Sequence, residues 1–270
     1  MMKAYSLEAV NDLVYKDVPV PVLKPGWALI KVKASGICSS DIARIFKNGT
    51  YHFPTIPGHE FSGIVEKVES ENEKEWLGKK VSVFPLIPCN ECNECNNKNY
   101  EMCENYDYLG SRRNGGFAEY VAVPVWNLLE LPADADLTEF AMLEPLSVAL
   151  HAIKCANIKK GDSVSIVGTG MIGICAAIWA KKYGAGYVQV LGRNENKRNL
   201  VYKYQDIKYV NIKSEKALPT NIVLEAVGSD ECVNQAIDLA TPGGRIIALG
   251  NPASDILLPQ KIYWRILRKQ

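Results

Sequence analysis

The sequence predicts an α/β protein of two domains, in which a mainly β N-terminal domain precedes a doubly wound parallel sheet. Short β-branched runs separated by Pro and Gly turns occupy residues 10–132, a pattern typical of small antiparallel sheets. From about residue 144 onward, strands alternate with helices, which indicates βαβ units and a parallel sheet. The predicted domains are therefore residues 1–143 and 144–270.

The composition is that of a globular protein with a sizeable core. The 270 residues are 47% hydrophobic and 23% charged, with a formal net charge of +1 and no long basic run. This balance favours a small neutral or anionic ligand over nucleic acid or an anionic membrane. No apolar stretch is long enough to span a bilayer, and the N-terminus lacks the apolar core of a secretory signal. We therefore expect a cytoplasmic protein with no nucleic-acid or membrane partner.

The N-terminal domain has predicted strands at residues 28–32, 63–68 and 80–83, followed by a loop that we call the cysteine lobe. Two, two and seven residues separate its four cysteines, which are Cys89, Cys92, Cys95 and Cys103. Thiolates at such short spacings can surround a tetrahedral Zn²⁺ completely, as a structural site requires. Disulfide scaffolds are typical of short secreted chains, so reduced thiolates that bind a metal are the better interpretation.

A second group of candidate metal ligands comes from distant segments and mixes sulfur, nitrogen and oxygen. Its members are Cys38, His59, Glu60 and Glu144. A zinc ion with an exchangeable position is bound by this kind of ligand set. The sequence therefore predicts two zinc ions per subunit, one that holds a loop and one that can do chemistry.

The second domain begins with a predicted helix over residues 143–156 and a strand over residues 163–167. The turn Gly168-Thr169-Gly170-Met171-Ile172-Gly173 follows that strand, and a helix over residues 174–183 comes next. This order is typical of dinucleotide binding, because the glycines let the backbone approach a pyrophosphate at the helix N-terminus. A turn that only packs the helix is the alternative. Further strands are predicted at residues 186–191, 221–226 and 245–250.

The end of the second strand of this domain bears on the choice of cofactor. NAD-specific folds usually carry an acidic residue about 20 residues past the glycines, where this chain has Gly192 and Arg193. A glycine leaves room for a 2′-phosphate, and the Arg193 guanidinium can pair with its charge. This pattern favours NADP over NAD. An Arg193 that stacks on the adenine or lies in solvent is the alternative.

Several segments, spread over essentially the whole chain, resemble the zinc-dependent medium-chain alcohol and polyol dehydrogenases. Besides the cysteine lobe, they are GICSSD at residues 36–41, PGHEFSG at 57–63, GGFAEY at 115–120 and EPL at 144–146. The resemblance implies a GroES-like catalytic domain followed by a Rossmann domain. It also implies an oxidoreductase in which hydride passes between a secondary hydroxyl and a nicotinamide cofactor, with zinc as a Lewis acid.

The resemblance implies roles for the residues of the mixed ligand set. Cys38 and His59 are the implied zinc ligands, and Glu144 replaces the second cysteine that many alcohol dehydrogenases have. Glu60 is implied either to coordinate the metal directly or to exchange with water or substrate. These assignments come from the family and not from the spacing.

Two residues beside Cys38 are implied to take part in the catalytic step. Ser40 is the candidate first hydroxyl of a proton relay to solvent. Asp41 either orients the ligand His59 or caps the helix that begins there. Both interpretations of Asp41 stay open at this point.

Within the family, residues 44–49 and 110–117 most resemble the galactitol-1-phosphate 5-dehydrogenases, with the sorbitol (L-iditol) dehydrogenases as further relatives. The implied substrate is a polyol or a polyol phosphate. Arg112 and Arg113 are candidates to bind a substrate phosphate, since arginine suits phosphate recognition. Ordinary surface ion pairs are the alternative.

The resemblance also bears on length and assembly. Relatives continue for several dozen residues past the helix predicted over residues 261–269, so we expect a truncated chain that lacks the C-terminal part of its nucleotide-binding sheet. Homodimers or homotetramers are the expected assemblies. Two other functions stay open, namely a dehydrogenase of an unphosphorylated polyol or other secondary alcohol, and a non-catalytic protein that binds zinc and nucleotide.

Overall fold

The structure, a computed structural model, describes residues 1–204, 206–252 and 254–267. The chain divides into two compact units, Met1–Glu144 and Pro145–Gln270. The boundary predicted from the sequence lies one residue earlier. Among the described residues, no helix combines the length and the apolar character that a membrane span requires.

The first unit is mainly β. Its strands and α-helices are β1 (Met2–Ala9), β2 (Asp12–Val18), β3 (Trp27–Gly36), α1 (Ser39–Ala43), β4 (Glu60–Val68), β5 (Lys80–Val83), β6 (Leu86–Ile87), α2 (Asn93–Asn96), β7 (Asp107–Tyr108), β8 (Tyr120–Pro124), β9 (Leu128–Glu130) and α3 (Leu137–Phe140). The largest sheet is antiparallel, with the strand order β8, β3, β4, β5, β9. Strands β1 and β2 form one hairpin-like pair, and β6 and β7 form another.

Alternation of apolar residues along the strands builds the core of the first unit. Ala28 and Ile30 of β3 and Val121 and Val123 of β8 are all buried in one cluster. Successive side chains of a strand point to opposite faces of the sheet, so apolar residues at every second position place one apolar face against the core. The alternation confirms the prediction of a mainly β domain made of half-buried antiparallel strands.

The second unit is a parallel sheet with helices between its strands. In chain order its elements are α4 (Leu143–Ala156), β10 (Ser163–Val167), α5 (Met171–Lys182), β11 (Tyr187–Gly192), α6 (Arg198–Tyr202), β12 (Ile207–Asn211), β13 (Thr220–Glu225), α7 (Asp230–Leu239), β14 (Ala240–Ala248) and α8 (Gln260–Ile266). The strand order is β12, β11, β10, β13, β14. The order reverses between β10 and β13, which is where doubly wound folds bind their ligands. The predicted doubly wound sheet is therefore confirmed.

The structure differs from the predicted elements of the second unit at several ends. Helix α5 begins at Met171, three residues before the predicted start, because Gly173 packs against the turn as part of the helix instead of preceding it. Strand β14 begins at Ala240 and not at residue 245. Helix α8 ends at Ile266, and residues 268 and 269 of the predicted helix lie outside the described residues.

Candidate active site

The four sulfur atoms of the cysteine lobe converge on one point. All four lie within 4.8 Å of one another, and none of the cysteines is in a disulfide. The Cys89 and Cys95 sulfurs are 3.9 Å apart, and those of Cys92 and Cys103 are 4.0 Å apart. A tetrahedral zinc with Zn–S bonds of about 2.3 Å places its sulfurs about 3.8 Å apart. Two of the six sulfur–sulfur distances are therefore close to those of a zinc tetrahedron, and the other four are no longer than 4.8 Å.

Backbone N–H groups in the lobe also favour the thiolate form that binds metals. The N–H of Cys89 donates to the Cys103 sulfur at 3.2 Å. Hydrogen bonds from the backbone of Cys95 and Glu104 lower the pKa of Cys92 to about 6, whereas burial and the neighbouring thiols raise the pKa of Cys95 to about 12. Because only a thiolate binds the ion, these donors prepare the lobe for a metal.

A second group, which we call the mixed site, consists of Cys38, His59 and Glu60. Strand β3 ends at Gly36 and β4 begins at Glu60, and these two residues are partners in the antiparallel register. The sheet therefore brings Cys38, just after β3, next to His59, just before β4. One ligand atom of each of the three side chains lies within 4.8 Å of the others, and His59 and Glu60 are buried. Sulfur, nitrogen and oxygen donors at this spacing fit a zinc ion.

Glycine at position 36 is needed for this arrangement. A Cβ added to Gly36 would lie 2.4 Å from Glu60 Oε2 and 3.1 Å from Glu60 Cβ. Any side chain there would therefore displace the Glu60 carboxylate. The glycine at the end of β3 is thus a requirement of the mixed site.

Asp41 caps α1, as one of the two interpretations predicts, and its carboxylate also faces His59. Its Oδ2 accepts a hydrogen bond of 3.0 Å from the Cys38 N–H, as part of the capping box of α1. Its Oδ1 lies 3.3 Å from His59 Nδ1, which is close enough for an ion pair, but the two groups are not aligned for a hydrogen bond. Burial lowers the pKa of His59, but interactions with Asp41 and Cys38 outweigh burial and raise it to about 10. The fully buried Asp41 carboxylate therefore connects the helix cap to the mixed site.

Glu144 lies beside the mixed site but is not one of the three convergent side chains in the described residues. Its Oε1 accepts a hydrogen bond of 3.5 Å from the Tyr108 hydroxyl. Burial raises the pKa of Glu144. The charge of His59 acts to lower this pKa, and the charge of Glu60 raises it further. Burial also raises the pKa of Tyr108 well above its usual range, and the charge of Glu144 adds to this effect. Tyr108, whose ring centroid lies 5.7 Å from that of His59, is a site residue that sequence reasoning did not assign.

Ser40 contacts a second residue that sequence reasoning did not assign. Arg44 Nη1 donates a hydrogen bond of 2.7 Å to Ser40 Oγ, and the same nitrogen lies 3.8 Å from Asp41 Oδ1. The spacing of four residues, which places side chains on one face of a helix, is the signal that could have linked Ser40 to Arg44. A positive charge therefore lies next to the residue predicted to start the proton relay.

The glycine-rich turn has the features of a pyrophosphate site. Gly168 has a φ of +120°, which favours glycine, and a Cβ at Gly173 would lie 2.2 Å from the Gly168 carbonyl oxygen. By contrast, a Cβ at Gly170 would meet no described atom within 4 Å. The space in front of Gly170, at the N-terminus of α5, is therefore open to a ligand. Met171 and Ile172, the other predicted cofactor residues, form the first turn of α5.

Glu225 is a buried carboxylate at the carboxyl end of β13, at the edge of the sheet where the glycine-rich turn also lies. Its Oε1 accepts hydrogen bonds from the N–H groups of Val227 at 2.7 Å and Gly228 at 2.9 Å. The same residue's carbonyl oxygen accepts from Leu249 and Gly250. Glu225 therefore ties together the turns that follow β13 and β14. An acidic residue that ends an otherwise apolar strand is the sequence signal that could have identified it.

At the end of β11, the structure gives a different explanation for the glycine at position 192 from the one that the sequence suggested. A Cβ there would lie 2.6 Å from Thr169 Cγ2 and 2.7 Å from the Tyr209 hydroxyl. A side chain is therefore excluded at Gly192 by its neighbours, whether or not a phosphate is present. The Arg193 side chain is 60% exposed and lies 3.6 Å from Glu231. Arg198 instead pairs with Glu195 and Glu215, which leaves Arg193 as the more available cation.

The two arginines predicted to bind a substrate phosphate contact other groups. The Arg112 guanidinium lies 4.4 Å from the ring centroids of both Tyr51 and Tyr106, and Arg112 Nη1 donates to the Tyr106 carbonyl oxygen at 3.1 Å. Arg113 Nε lies 2.5 Å from Asp107 Oδ2. Both arginines line a cavity of about 570 Å³ to which no residue of the mixed site contributes. Arg113 thus makes the ordinary ion pair of the alternative, whereas Arg112 stacks on tyrosine rings and forms no ion pair among the described residues.

Two family profiles match the chain. The profile described as alcohol dehydrogenase GroES-like domain matches residues 24–133, and the profile described as zinc-binding dehydrogenase matches residues 172–266. Together they cover most of both units.

Known proteins are similar over most of the chain. Galactitol 1-phosphate 5-dehydrogenase of Escherichia coli (strain K12) is 35% identical over 252 residues, which are 89% of this chain and 72% of that enzyme. D-xylulose reductase A of Aspergillus oryzae is 28% identical, covering 95% of this chain and 77% of the reductase. The crystal structure of a zinc-binding dehydrogenase from Sinorhizobium meliloti 1021 bound to NADP superposes with a TM-score of 0.92 at 31% identity, covering 99% of this chain and 81% of that one.

Proposed function

The chain belongs to the zinc-dependent medium-chain alcohol and polyol dehydrogenases, and on that premise we propose that its substrate is a polyol phosphate of the galactitol 1-phosphate kind. Hydride passes between a secondary hydroxyl of this substrate and a nicotinamide cofactor. The observation that carries the proposal is the mixed site, where Cys38, His59 and Glu60 present three kinds of ligand atom within 4.8 Å. The similarity to galactitol 1-phosphate 5-dehydrogenase supports the substrate class.

The proposed catalytic zinc is held by Cys38, His59 and Glu60, and the proposed structural zinc by the cysteine lobe. When bound at the mixed site, zinc supplies the Lewis acidity that lowers the pKa of the substrate hydroxyl. Asp41 faces His59 Nδ1 and thereby leaves Nε2 for the metal. Glu144 stays a proposed further ligand, because the family resemblance implies it and its carboxylate, which accepts from the Tyr108 hydroxyl, lies beside the mixed site.

Ser40 is proposed to carry the proton away from the substrate hydroxyl. Its oxygen accepts a hydrogen bond from Arg44 Nη1, so the hydroxyl hydrogen of Ser40 stays available for donation to another group. A hydroxyl that accepts from a cation and donates elsewhere can relay a proton by exchanging partners. The guanidinium also fixes the position of this hydroxyl.

NADP is the proposed cofactor. The open space at Gly170 and the positive φ of Gly168 suit a pyrophosphate at the N-terminus of α5. The exposed Arg193 can pair with a 2′-phosphate, while no acidic side chain can occupy position 192 without displacing Thr169 and Tyr209. The NADP in the Sinorhizobium meliloti neighbour supports this choice. A cytoplasmic location and a homodimer or homotetramer stay predictions of the sequence.

A second candidate substrate is an unphosphorylated polyol. The similarity to D-xylulose reductase A of Aspergillus oryzae favours this alternative, since its name gives a sugar without phosphate. Both candidates use the same mixed site and differ only in what binds the rest of the substrate. A substrate panel therefore separates them.

The test is to assay the purified protein with galactitol 1-phosphate, galactitol, sorbitol and xylitol, each with NAD⁺ and NADP⁺. We expect the highest kcat/KM with galactitol 1-phosphate and NADP⁺. His59→Ala should lose turnover by roughly 1,000-fold, since Lewis-acid catalysis contributes several kcal/mol to the rate. Zinc analysis should give two ions per wild-type chain and one per variant chain. Full activity of His59→Ala would exclude the mixed site as the catalytic centre.

A further inference from the structure

Arg44 lies next to the mixed site. One carboxylate oxygen, Asp41 Oδ1, is 3.3 Å from His59 Nδ1 and 3.8 Å from Arg44 Nη1. The distance from His59 Nδ1 to Arg44 Nη1 is therefore at most the sum of these two distances. A substrate hydroxyl that reaches from the mixed site to Ser40 would bring the rest of its carbon chain near Arg44, because Arg44 Nη1 lies 2.7 Å from Ser40 Oγ.

Most donors of this guanidinium are uncommitted. An arginine carries five N–H donors in a planar fork. In the part of the chain that the structure describes, the side chain of Arg44 contacts Ser40 and Asp41, and both contacts are made by Nη1. Its side chain is 25% exposed, so the remaining donors on Nη2 and Nε are within reach of a ligand.

Arg112 and Arg113 are less suited to a substrate phosphate than Arg44. The Arg112 guanidinium is stacked between two tyrosine rings, and Arg113 is paired with Asp107. Binding a phosphate there would require these contacts to break or be shared. It would also place the phosphate in a cavity that no mixed-site residue lines.

We propose that Arg44 binds the phosphate of a phosphorylated polyol whose reacting hydroxyl lies at the mixed site. This inference rests on the proposed function and assigns its substrate specificity to one residue. A planar guanidinium matches a phosphate with two parallel hydrogen bonds, whereas a neutral polyol needs no cation at this position. The alternative role of Arg44 is to position Ser40, which would serve phosphorylated and unphosphorylated substrates equally.

The experiment compares kcat/KM for galactitol 1-phosphate with kcat/KM for galactitol in the zinc-loaded protein. Arg44→Gln should lower the ratio of the two values roughly 10- to 100-fold, as expected for lost hydrogen bonds to a charged group. Arg44→Lys keeps the positive charge but loses the planar guanidinium, so its ratio should lie between those of wild type and Arg44→Gln. This variant replaces Arg44→Gln in the test if Arg44→Gln does not fold. Lys47→Gln is the matched control, because it removes one exposed positive charge from the same segment.

An unchanged ratio in Arg44→Gln, with both substrates slowed alike, would overturn the proposal and leave Arg44 as a positioning residue for Ser40. A fall of the ratio in Arg112→Gln but not in Arg44→Gln would overturn it as well. Calorimetric titration with galactitol 1-phosphate separates this proposal from the proposed function. If the wild-type protein turns over neither substrate, the proposed function is wrong. Binding of galactitol 1-phosphate to wild type that is lost in Arg44→Gln would still support the phosphate site. Absence of binding to wild type overturns the site.

Discussion

The cysteine lobe and the mixed site arrange their candidate metal ligands in two different ways, although both belong to the first unit. The lobe takes its four ligands from one segment of fifteen residues, and backbone N–H groups point at its sulfurs. The mixed site takes its ligands from the ends of two antiparallel strands, and a buried carboxylate lies behind its histidine. A closed shell of sulfur suits an ion that holds structure, whereas a mixed shell supported by Asp41 suits an ion that must exchange a ligand.

Tyr108 connects the two sites. Its ring packs against the lobe cluster that includes Leu86, Cys95 and Cys103, while its hydroxyl reaches Glu144. The lobe cluster therefore packs against a tyrosine whose hydroxyl lies beside the mixed site. This contact is a link through which the two sites can influence each other.

The largest effects are expected when the same substitution, cysteine to serine, is made in each of the two sites. Cys95→Ser should lower the midpoint of thermal unfolding by roughly 10 °C, because loss of a structural metal is among the largest single-residue effects on stability. Cys38→Ser should leave the midpoint nearly unchanged, since serine also caps the N-terminus of α1, but it should lose turnover. Calorimetry and steady-state kinetics on both variants measure these outcomes. Equal loss of stability in both variants would contradict the assignment of separate roles.

A smaller effect is expected for Asp41→Asn, which tests the support behind the mixed site. Asparagine can still accept the Cys38 N–H but has no charge to hold His59, so zinc affinity or turnover should fall about 10- to 100-fold. Competition with a chelator measures the affinity. Asp136→Asn is the matched control, because Asp136 caps α3 by accepting from the Thr138 N–H and does not contact the mixed site in the described residues. A similar loss in both variants would show that helix capping explains the effect.

The smallest effect is expected for Tyr108→Phe, which tests the connection between the sites. The ring stays in the lobe cluster and only the 3.5 Å hydrogen bond to Glu144 is lost, so stability should change by about 1 kcal/mol or less. We expect turnover to fall several-fold because the Glu144 carboxylate loses its partner. Tyr100→Phe, in the same cluster, should leave turnover unchanged. Chemical unfolding and kinetics provide the readouts, and an unchanged turnover in Tyr108→Phe would separate the two sites.

Local patterns predicted much of this protein. The spacing of the cysteines predicted the lobe, and the order of strand, glycine turn and helix predicted the sheet that starts at β10. Such features depend on residues close together in sequence, so hydrophobic periodicity and ligand spacing reveal them. The predicted start of α5 is three residues late because the whole glycine motif resembles a turn in sequence, whereas in the structure Gly173 lies inside the helix and packs closely on Gly168.

The fold class, the family and the candidate metal ligands could be inferred from the amino-acid sequence alone. Three contacts became visible only after folding: Arg44 lies beside Ser40, Tyr51 and Tyr106 enclose Arg112, and Thr169 and Tyr209 fill the space next to Gly192. The first kind of information is written in spacing along the chain. The second depends on which distant side chains share the same volume after packing, and no short-range pattern specifies that.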